Sequence, residues 1–225
     1  KALGRDAEYM AAVQAGDMAK AQQLVDEAAK DAGYDIGPGY HGGRDFFGRY
    51  ATTGRFGQSV FTREGSPTGY GQKDYKLYLN EPPLELEDLK DLLAEEKGRK
   101  ILAQKLQSND EDVIDAVSEA LTDGSTYSTD PVVWDAIGAI DEGDSQIEIQ
   151  NLRSELAKDF GYTATRTPDE FDGETIMVSQ QNALKLADAI TRDDQGNIIP
   201  LSQRFNPQFS NINYAAPATA VGAGG

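Results

Sequence analysis

Cysteine is absent from this chain of 225 residues, and histidine occurs once, at His41. Without thiols there can be no disulfide, no zinc–thiolate centre and no thiol nucleophile. A single imidazole excludes a two-histidine metal site and a paired imidazole acid and base. Long apolar runs are also missing. No stretch approaches the ~20 residues that cross a bilayer, and no signal-peptide pattern opens the chain, so no membrane association is expected. Positive charge is scarce as well, with 21 lysines and arginines against 38 aspartates and glutamates, a net charge of -17. A surface of that sign repels phosphate backbones, and general nucleic-acid binding is not expected. The densest basic run, Lys97 to Lys105, sits on a predicted helix directly behind Glu95 and Glu96. The plain reading of the acidity is solubility.

What is present is a chain of alternating textures. Hydrophobic residues make up 39%, enough for a core, while a mean hydropathy of -0.55 and 23 glycines indicate much loop. Residues 6–32 read as two helices, one with Ala7, Met10, Ala11 and Val13 on its apolar face. Gly16-Asp17 breaks and re-caps the chain, and Met18, Ala21, Leu24, Val25 and Ala28 then repeat at helical spacing until Gly33. From Gly37 to Gly71 glycines alternate with Phe46, Phe47, Tyr50, Phe56, Phe61 and Tyr70, the texture of irregular backbone held by large anchors and the expected place for a binding cleft. Asp74 to Asn80 alternates as a strand does, and Pro82-Pro83 ends it.

A helical block follows. Leu86, Leu89, Leu92 and Leu93 lead on to Ile101, Leu102 and Leu106, and Ser108-Asn109-Asp110-Glu111 reads as a capping box before Val113, Ile114 and Val117. Asp130-Pro131 opens a short helix through Trp134 and Ile137, and Asp144 is expected to cap another that runs to Gly161. Strand texture returns at Thr175-Ile176-Met177-Val178, and Asp193-Asp194-Gln195-Gly196-Asn197 reads as a turn into Ile198-Ile199-Pro200. That turn has calcium-loop composition but lacks the closing glutamate, which favours a hairpin. After about Asn206 the sequence reads as tail. Strands on either side of a helical insertion argue for an α+β fold.

Familiar nucleotide motifs are missing: there is no Walker sequence and no Gly-x-Gly-x-x-Gly between a strand and a helix. Gly37-Pro38-Gly39 reads as a turn, since proline removes a donor that a phosphate cradle would need. No serine has a nucleophile-elbow context that could use His41. His41 with its glycines, the aromatic segment, and the carboxylates Asp169, Glu170, Asp172 and Glu174 around the last strand region remain as candidate chemistry.

The layout of these segments resembles the ADP-ribosyltransferase-like domains of phage and mobile-element polyvalent proteins. Asp6 to Val13 with Gly16-Asp17 and Ala21 to Ala29 is similar to that family's helical leader. Tyr40-His41-Gly42 resembles its first motif, Ser59-Val60-Phe61-Thr62 with Tyr70-Gly71 its second strand and the short helix after it, and Tyr78-Leu79-Asn80 with Pro83-Leu84-Glu85-Leu86 the next strand and its exit. The distinctive part is the end: Glu174-Thr175-Ile176-Met177-Val178, then Asn182 to Asp188, then Asp193 to Phe205. The likeness spans roughly residues 6–206. Val60 stands where the family usually has an aromatic residue, Gly43 where it commonly has threonine, and Gly161-Tyr162-Thr163-Ala164 in place of a Gly-Tyr-Asp-Gly turn.

The resemblance implies split antiparallel β-sheets with NAD between them. It also implies a helical leader at 1–35, a transferase-like domain at 36–205 with a helical insertion at about 86–160, and a flexible tail at 206–225. His41 would hydrogen-bond the adenosine ribose, the Gly42 backbone the nicotinamide carboxamide, and Tyr70 would stack on the nicotinamide. Tyr40, Phe61 and Thr62 would complete the NAD site. Glu174 would bind the nicotinamide ribose and stabilise positive charge as the glycosidic bond breaks. The chemistry is coherent: that bond breaks through an oxocarbenium-like state, which a carboxylate favours over the ground state.

The implied activity is transfer of ADP-ribose from NAD to a host macromolecule, with NAD glycohydrolysis as a variant. The alternative is a catalytically degenerate virion or assembly protein that uses the fold as a scaffold and meets a virion protein partner. The expected location is accordingly the virion or, after delivery, the host bacterial cytoplasm. The start at Lys1 and the Gly-Ala-rich end suggest a processed product or a fragment of a longer chain.

Overall fold

The computed structural model describes residues 2–43, 59–62, 73–138, 145–169, 173–193, 195–206 and 208, with the backbone alone at 2–4, 42–43, 59–62, 73–74, 145–147, 169, 173–174 and 181. The fold is α+β, as the alternation of textures predicts. The chain divides into two compact units, the first made of residues 1–52, 63–82 and 180–225 and the second of 53–62 and 83–179.

The first unit begins with α1 (Ala2–Ala15) and α2 (Met18–Asp31). Asp17 caps α2 by accepting a hydrogen bond from the Lys20 amide at 3.0 Å. Tyr9, Ala12, Ala21, Leu24 and Val25, the apolar positions spaced three and four apart, pack with Leu201 into a core. Three strands follow in this unit: β1 (Ile36–Gly43), β3 (Lys73–Leu79) and β6 (Leu184–Leu186). β3 pairs antiparallel with β1 on one side and with β6 on the other. Tyr78 ties this set to α2, its hydroxyl donating to Asp26 at 2.6 Å. Segments remote in sequence close the unit: the Tyr9 hydroxyl donates to the Ala189 carbonyl at 2.8 Å, and Asp6 accepts from the Ser202 amide at 2.9 Å.

The second unit holds β2 (Ser59–Thr62), five helices, α3 (Leu86–Ala94), α4 (Glu96–Leu106), α5 (Glu111–Thr122), α6 (Pro131–Gly138) and α7 (Ser145–Asp159), and the strands β4 (Ala164–Asp169) and β5 (Gly173–Val178). β5 pairs antiparallel with both β2 and β4. The helices share one core, in which Leu89 and Leu93, Leu102 and Leu106, Ile114 and Val117, Val133 and Ile137, and Leu152 and Leu156 are buried. Leu84 joins that core and also bridges to Thr165 of β4.

Several local expectations change. The apolar run from Leu86 to Leu106 is two helices, broken at Glu95, whose backbone is extended (φ -77, ψ 146). Ser108 is not the cap of α5. Asp110 is, accepting from the Asp112 amide at 3.1 Å, while the Ser108 hydroxyl accepts from Asp110 one step earlier. Aspartate in that place outcompetes the serine because it brings negative charge to the helix N-terminus. Gly37-Pro38-Gly39 is no free turn but an irregularity inside β1, where the register shifts between Ile36 and Gly39. Gly37 has φ 114, and a Cβ there would stand 2.8 Å from the Gly39 nitrogen. Asp130 caps α6 as expected, through the Val132 amide at 2.8 Å. Asp193 accepts from the amides of Gln195 and Asn197 to form the expected turn, and Arg192 bridges to Ile198 across it. The expected cap Asp144 and most of the 206–225 tail lie outside the described residues.

The sharpest packing constraint in the second unit is Gly98. A Cβ added there would lie 1.9 Å from the Leu92 carbonyl oxygen and 2.7 Å from its carbon, so only glycine lets α4 approach the end of α3. Because backbone atoms must move to admit even a methyl group, Gly98→Ala is expected to cost about 3 kcal/mol or more, read as a lower midpoint in urea unfolding. Gly124→Ala, where nothing lies within 4 Å but φ is 79, is expected to cost about 1 kcal/mol.

Candidate functional site

Tyr40, His41 and Gly42 occupy consecutive positions of β1, opposite Lys76, Tyr75 and Asp74 of β3. Residues directly opposed in an antiparallel pair stand close on one face, so His41 and Tyr75 are neighbours across the ladder. Tyr75 is buried, whereas Tyr40 and His41 are half-buried, which leaves part of each side chain open to solvent. The glycines beside His41 lie within a regular strand rather than in irregular backbone.

In the second unit Phe61 stands opposite Ile176 and Thr62 opposite Thr175, one residue from Glu174. Glu174 itself pairs with Pro168 of β4. The structure therefore brings Phe61, Thr62 and Glu174 onto adjacent strands, and brings Tyr40, His41 and Gly42 together on β1. Tyr70 lies outside the described residues. Within the second unit, β4 and β5 carry buried polar groups: Thr165, Arg166, Thr167 and Thr175. Arg166 is held in place by Glu85, which accepts from its Nε at 2.6 Å and from its Nη2 at 3.0 Å. This bidentate pair fixes β4, and through it the strand next to Glu174.

Sequence reasoning missed the buried cations. Arg153 looks like an ordinary surface residue of an amphipathic helix, yet it is fully buried and donates to the carbonyls of Leu121, Ala120 and Ser125 and to the Thr167 hydroxyl. Burial lowers its pKa to about 10. Arg204 is fully buried in the first unit and donates to the Leu186 and Asp188 carbonyls at 2.9 and 2.8 Å. Lys185 is buried on β6, opposite Tyr78, and desolvation lowers its pKa to about 8. Its flanking leucines read as strand core and give no hint of this.

Among the described residues no group of three or more histidines, aspartates or glutamates is placed to hold a metal ion. A cavity of about 320 Å³ opens in the first unit between Arg5, Ala28, Asp31, Leu201, Ser202 and Phe205, and no residue expected from the sequence to bind NAD lines it. No helix among the described residues is long and apolar enough to cross a membrane.

No protein-family model matches the chain, and no curated protein matches it. A solved structure described as the crystal structure of an anti-CRISPR protein is similar over 62% of this chain and 86% of that one, at 20% identity and a TM-score of 0.45. Likeness at that level establishes neither a shared fold nor a function.

The pKa of Lys185 gives a test with a definite sign. In the folded protein the amine loses its proton at about pH 8, whereas in the unfolded chain it keeps it to its ordinary value of 10.5. The unfolded state thus binds more protons across that window, and stability rises with pH through it. Relative to Lys185→Met, the wild type is expected to gain ~2 kcal/mol between pH 7.5 and pH 10, measured by urea unfolding at each pH. Parallel curves for the two proteins would show that the amine is not desolvated.

Proposed function

We propose that the chain is an NAD-dependent ADP-ribosyltransferase of the phage and mobile-element type, acting on a host macromolecule. One observation carries the reading. Four of the segments that resemble the family, Tyr40–Gly42, Ser59–Thr62, Tyr78–Leu79 and Glu174–Val178, lie in β-strands, and β2 pairs in register with the strand that bears Glu174. In this reading β1 offers His41 and the Gly42 backbone to the ribose and carboxamide of NAD. Phe61 and Thr62 of β2 flank the nicotinamide end, and Tyr70 stacks on the ring. Glu174 is the charged group that stabilises the oxocarbenium-like ribose as nicotinamide leaves. The acceptor attacks the same carbon, and no metal is required. The split-sheet arrangement of the family is part of the proposal.

Val60 favours a second reading. An aliphatic side chain at the position usually filled by an aromatic one gives the nicotinamide less surface to stack on. A protein that has lost catalysis and kept the fold as a virion or assembly scaffold would tolerate it.

The two readings part on one experiment. The protein is incubated with NAD labelled in the adenylate moiety and a bacterial lysate, and label transfer, nicotinamide release and the melting temperature with and without NAD are measured. The transferase is expected to transfer label, to lose about 10²–10³-fold in rate in Glu174→Gln, and to bind NAD more weakly in His41→Ala. Melting should rise with NAD, since a ligand that binds only the native state stabilises it. Nicotinamide release without label transfer would make the chain a glycohydrolase. No release, no transfer and no thermal shift would leave the scaffold.

A further inference from the structure

Negative charge is not spread evenly along this chain. Between Lys105 and Arg153 there is no lysine, arginine or histidine, while twelve aspartates and glutamates occur there. Part of this charge is answered locally: Arg99 of α4 bridges Glu111 at 2.5 Å and Asp115 at 2.7 Å. Farther along, Asp123, Asp130 and Asp135 are exposed and bridged to no cation among the described residues. Asp123 and Asp130 are spent on backbone instead, accepting from the amides of Ser125 and Val132 at 2.8 Å each, so their carboxylates are fixed in position.

Exposed apolar surface gathers in the same stretch. Four large hydrophobic residues are exposed among the described residues, and three of them are Tyr127 (52%), Val132 (42%) and Trp134 (42%). They lie on the link between α5 and α6 and on α6 itself. The core-facing edge of α6 is Val133 and Ile137, both buried. At ~100° per residue, Val132 and Trp134 fall about 200° apart on opposite sides of that edge, so Val132 does not share a face with Trp134. The Trp134 ring runs along its own helix toward Gly138, where Cε3 would lie 3.6 Å from an added Cβ. Arg153 anchors the link from inside by donating to the Ser125 carbonyl at 3.2 Å. Tyr127 is therefore displayed beside fixed backbone and Trp134 on a helix, which lowers the entropic cost of docking.

Scattered apolar residues on a surface need no explanation. These differ in being concentrated where the chain has carboxylates and no cations. Tryptophan and tyrosine are the residues that most often anchor interfaces, and a ring of one charge around them selects for the opposite charge in the partner. We propose that the Tyr127–Asp135 segment is a docking surface for a protein whose contact face is rich in lysine and arginine around an apolar socket. Trp134 and Tyr127 enter the socket, and Asp123, Asp130 and Asp135 meet the surrounding cations. This surface is independent of NAD chemistry, so the outcome of one test does not prejudge the other.

Trp134 is the only tryptophan of the chain, so its fluorescence reports on this surface alone. The intact protein is titrated with a helical peptide of lysines and leucines arranged on opposite faces. Polylysine of equal charge, a glutamate–leucine counterpart and zwitterionic phosphatidylcholine vesicles are run in parallel. The lysine–leucine peptide is expected to bind saturably and to shift Trp134 emission to the blue. Affinity should fall at least tenfold in Asp130→Asn/Asp135→Asn and in Tyr127→Ser. Removing two acidic charges from the first unit, by Glu8→Gln/Glu27→Gln, should change it less than twofold. Circular dichroism of the variants is expected to match the parent, since all of these side chains are exposed. Any one of three results would overturn the proposal: polylysine giving the same shift and affinity, the Glu8/Glu27 pair weakening binding as much as the Asp130/Asp135 pair, or no shift with the lysine–leucine peptide. A shift with phosphatidylcholine vesicles and none with the peptide would assign the patch to a lipid surface instead.

Discussion

The second unit is organised around a buried positive charge that is held by backbone carbonyls and a hydroxyl, with Asp123 adding a weaker electrostatic attraction. Arg153 reaches from α7 to three carbonyls at and beyond the end of α5 and to a hydroxyl on β4. A helix ends with carbonyls that lack amide partners, and a guanidinium offers five donors in a plane, so one side chain satisfies the helix end and fixes the link that follows. The charge is held by dipoles, at a desolvation cost visible in its lowered pKa. Removing the guanidinium would leave those carbonyls buried without donors, which is why such a residue fixes a structure even where its net contribution to stability is modest. Arg204 repeats the arrangement in the first unit, with two carbonyls and the face of Phe205, whose centroid lies 5.3 Å from its Cζ. In a chain so acidic overall, interior cations bound to backbone are a way of keeping cohesion inside while repulsion stays at the surface.

The same economy shapes the candidate site. Strand β4 carries little apolar surface, and its burial is sustained by polar pairing: Arg166 with Glu85, the Thr165 hydroxyl with the Leu84 carbonyl, Thr167 with Arg153. These contacts set the edge against which β5 and Glu174 are registered. Catalysis by a fixed carboxylate depends on such support, because the group must not relax when charge develops beside it.

The helices were legible in the sequence because their signals are local. Asp17 and Asp130 cap within three residues, and the leucines of α3 and α4 repeat within one or two turns. Strand β3 was legible through its alternating tyrosines and leucines, and β5 through its apolar run. Strand β4 was not. Ala164-Thr165-Arg166-Thr167-Pro168-Asp169 has no apolar alternation, and the partner that justifies its buried arginine lies 81 residues earlier. The break at Glu95, where the backbone is extended between α3 and α4, leaves no mark on the leucine periodicity. For the candidate site, Glu174 at the head of an apolar strand run could be read from sequence, whereas β1 and β2 fall in a stretch whose glycines and aromatics read as irregular backbone. Which strands are neighbours could not be read, since pairing β2 with β5 joins residues more than a hundred positions apart.

The way the first unit is assembled from distant pieces has a consequence for its synthesis. Tyr9 waits for Ala189, and Asp6 for Ser202, partners 180 and 196 residues downstream. Helices α1 and α2 leave the ribosome well before the segment that closes their unit, with the apolar faces of Tyr9, Leu24 and Val25 still lacking Leu201. The five helices of the second unit find their partners within a much shorter stretch of chain, and local contacts form quickly. These early residues of the unit are thus among the last to be sealed, and the interval before the closing segment emerges is when proteases and chaperones have access to them.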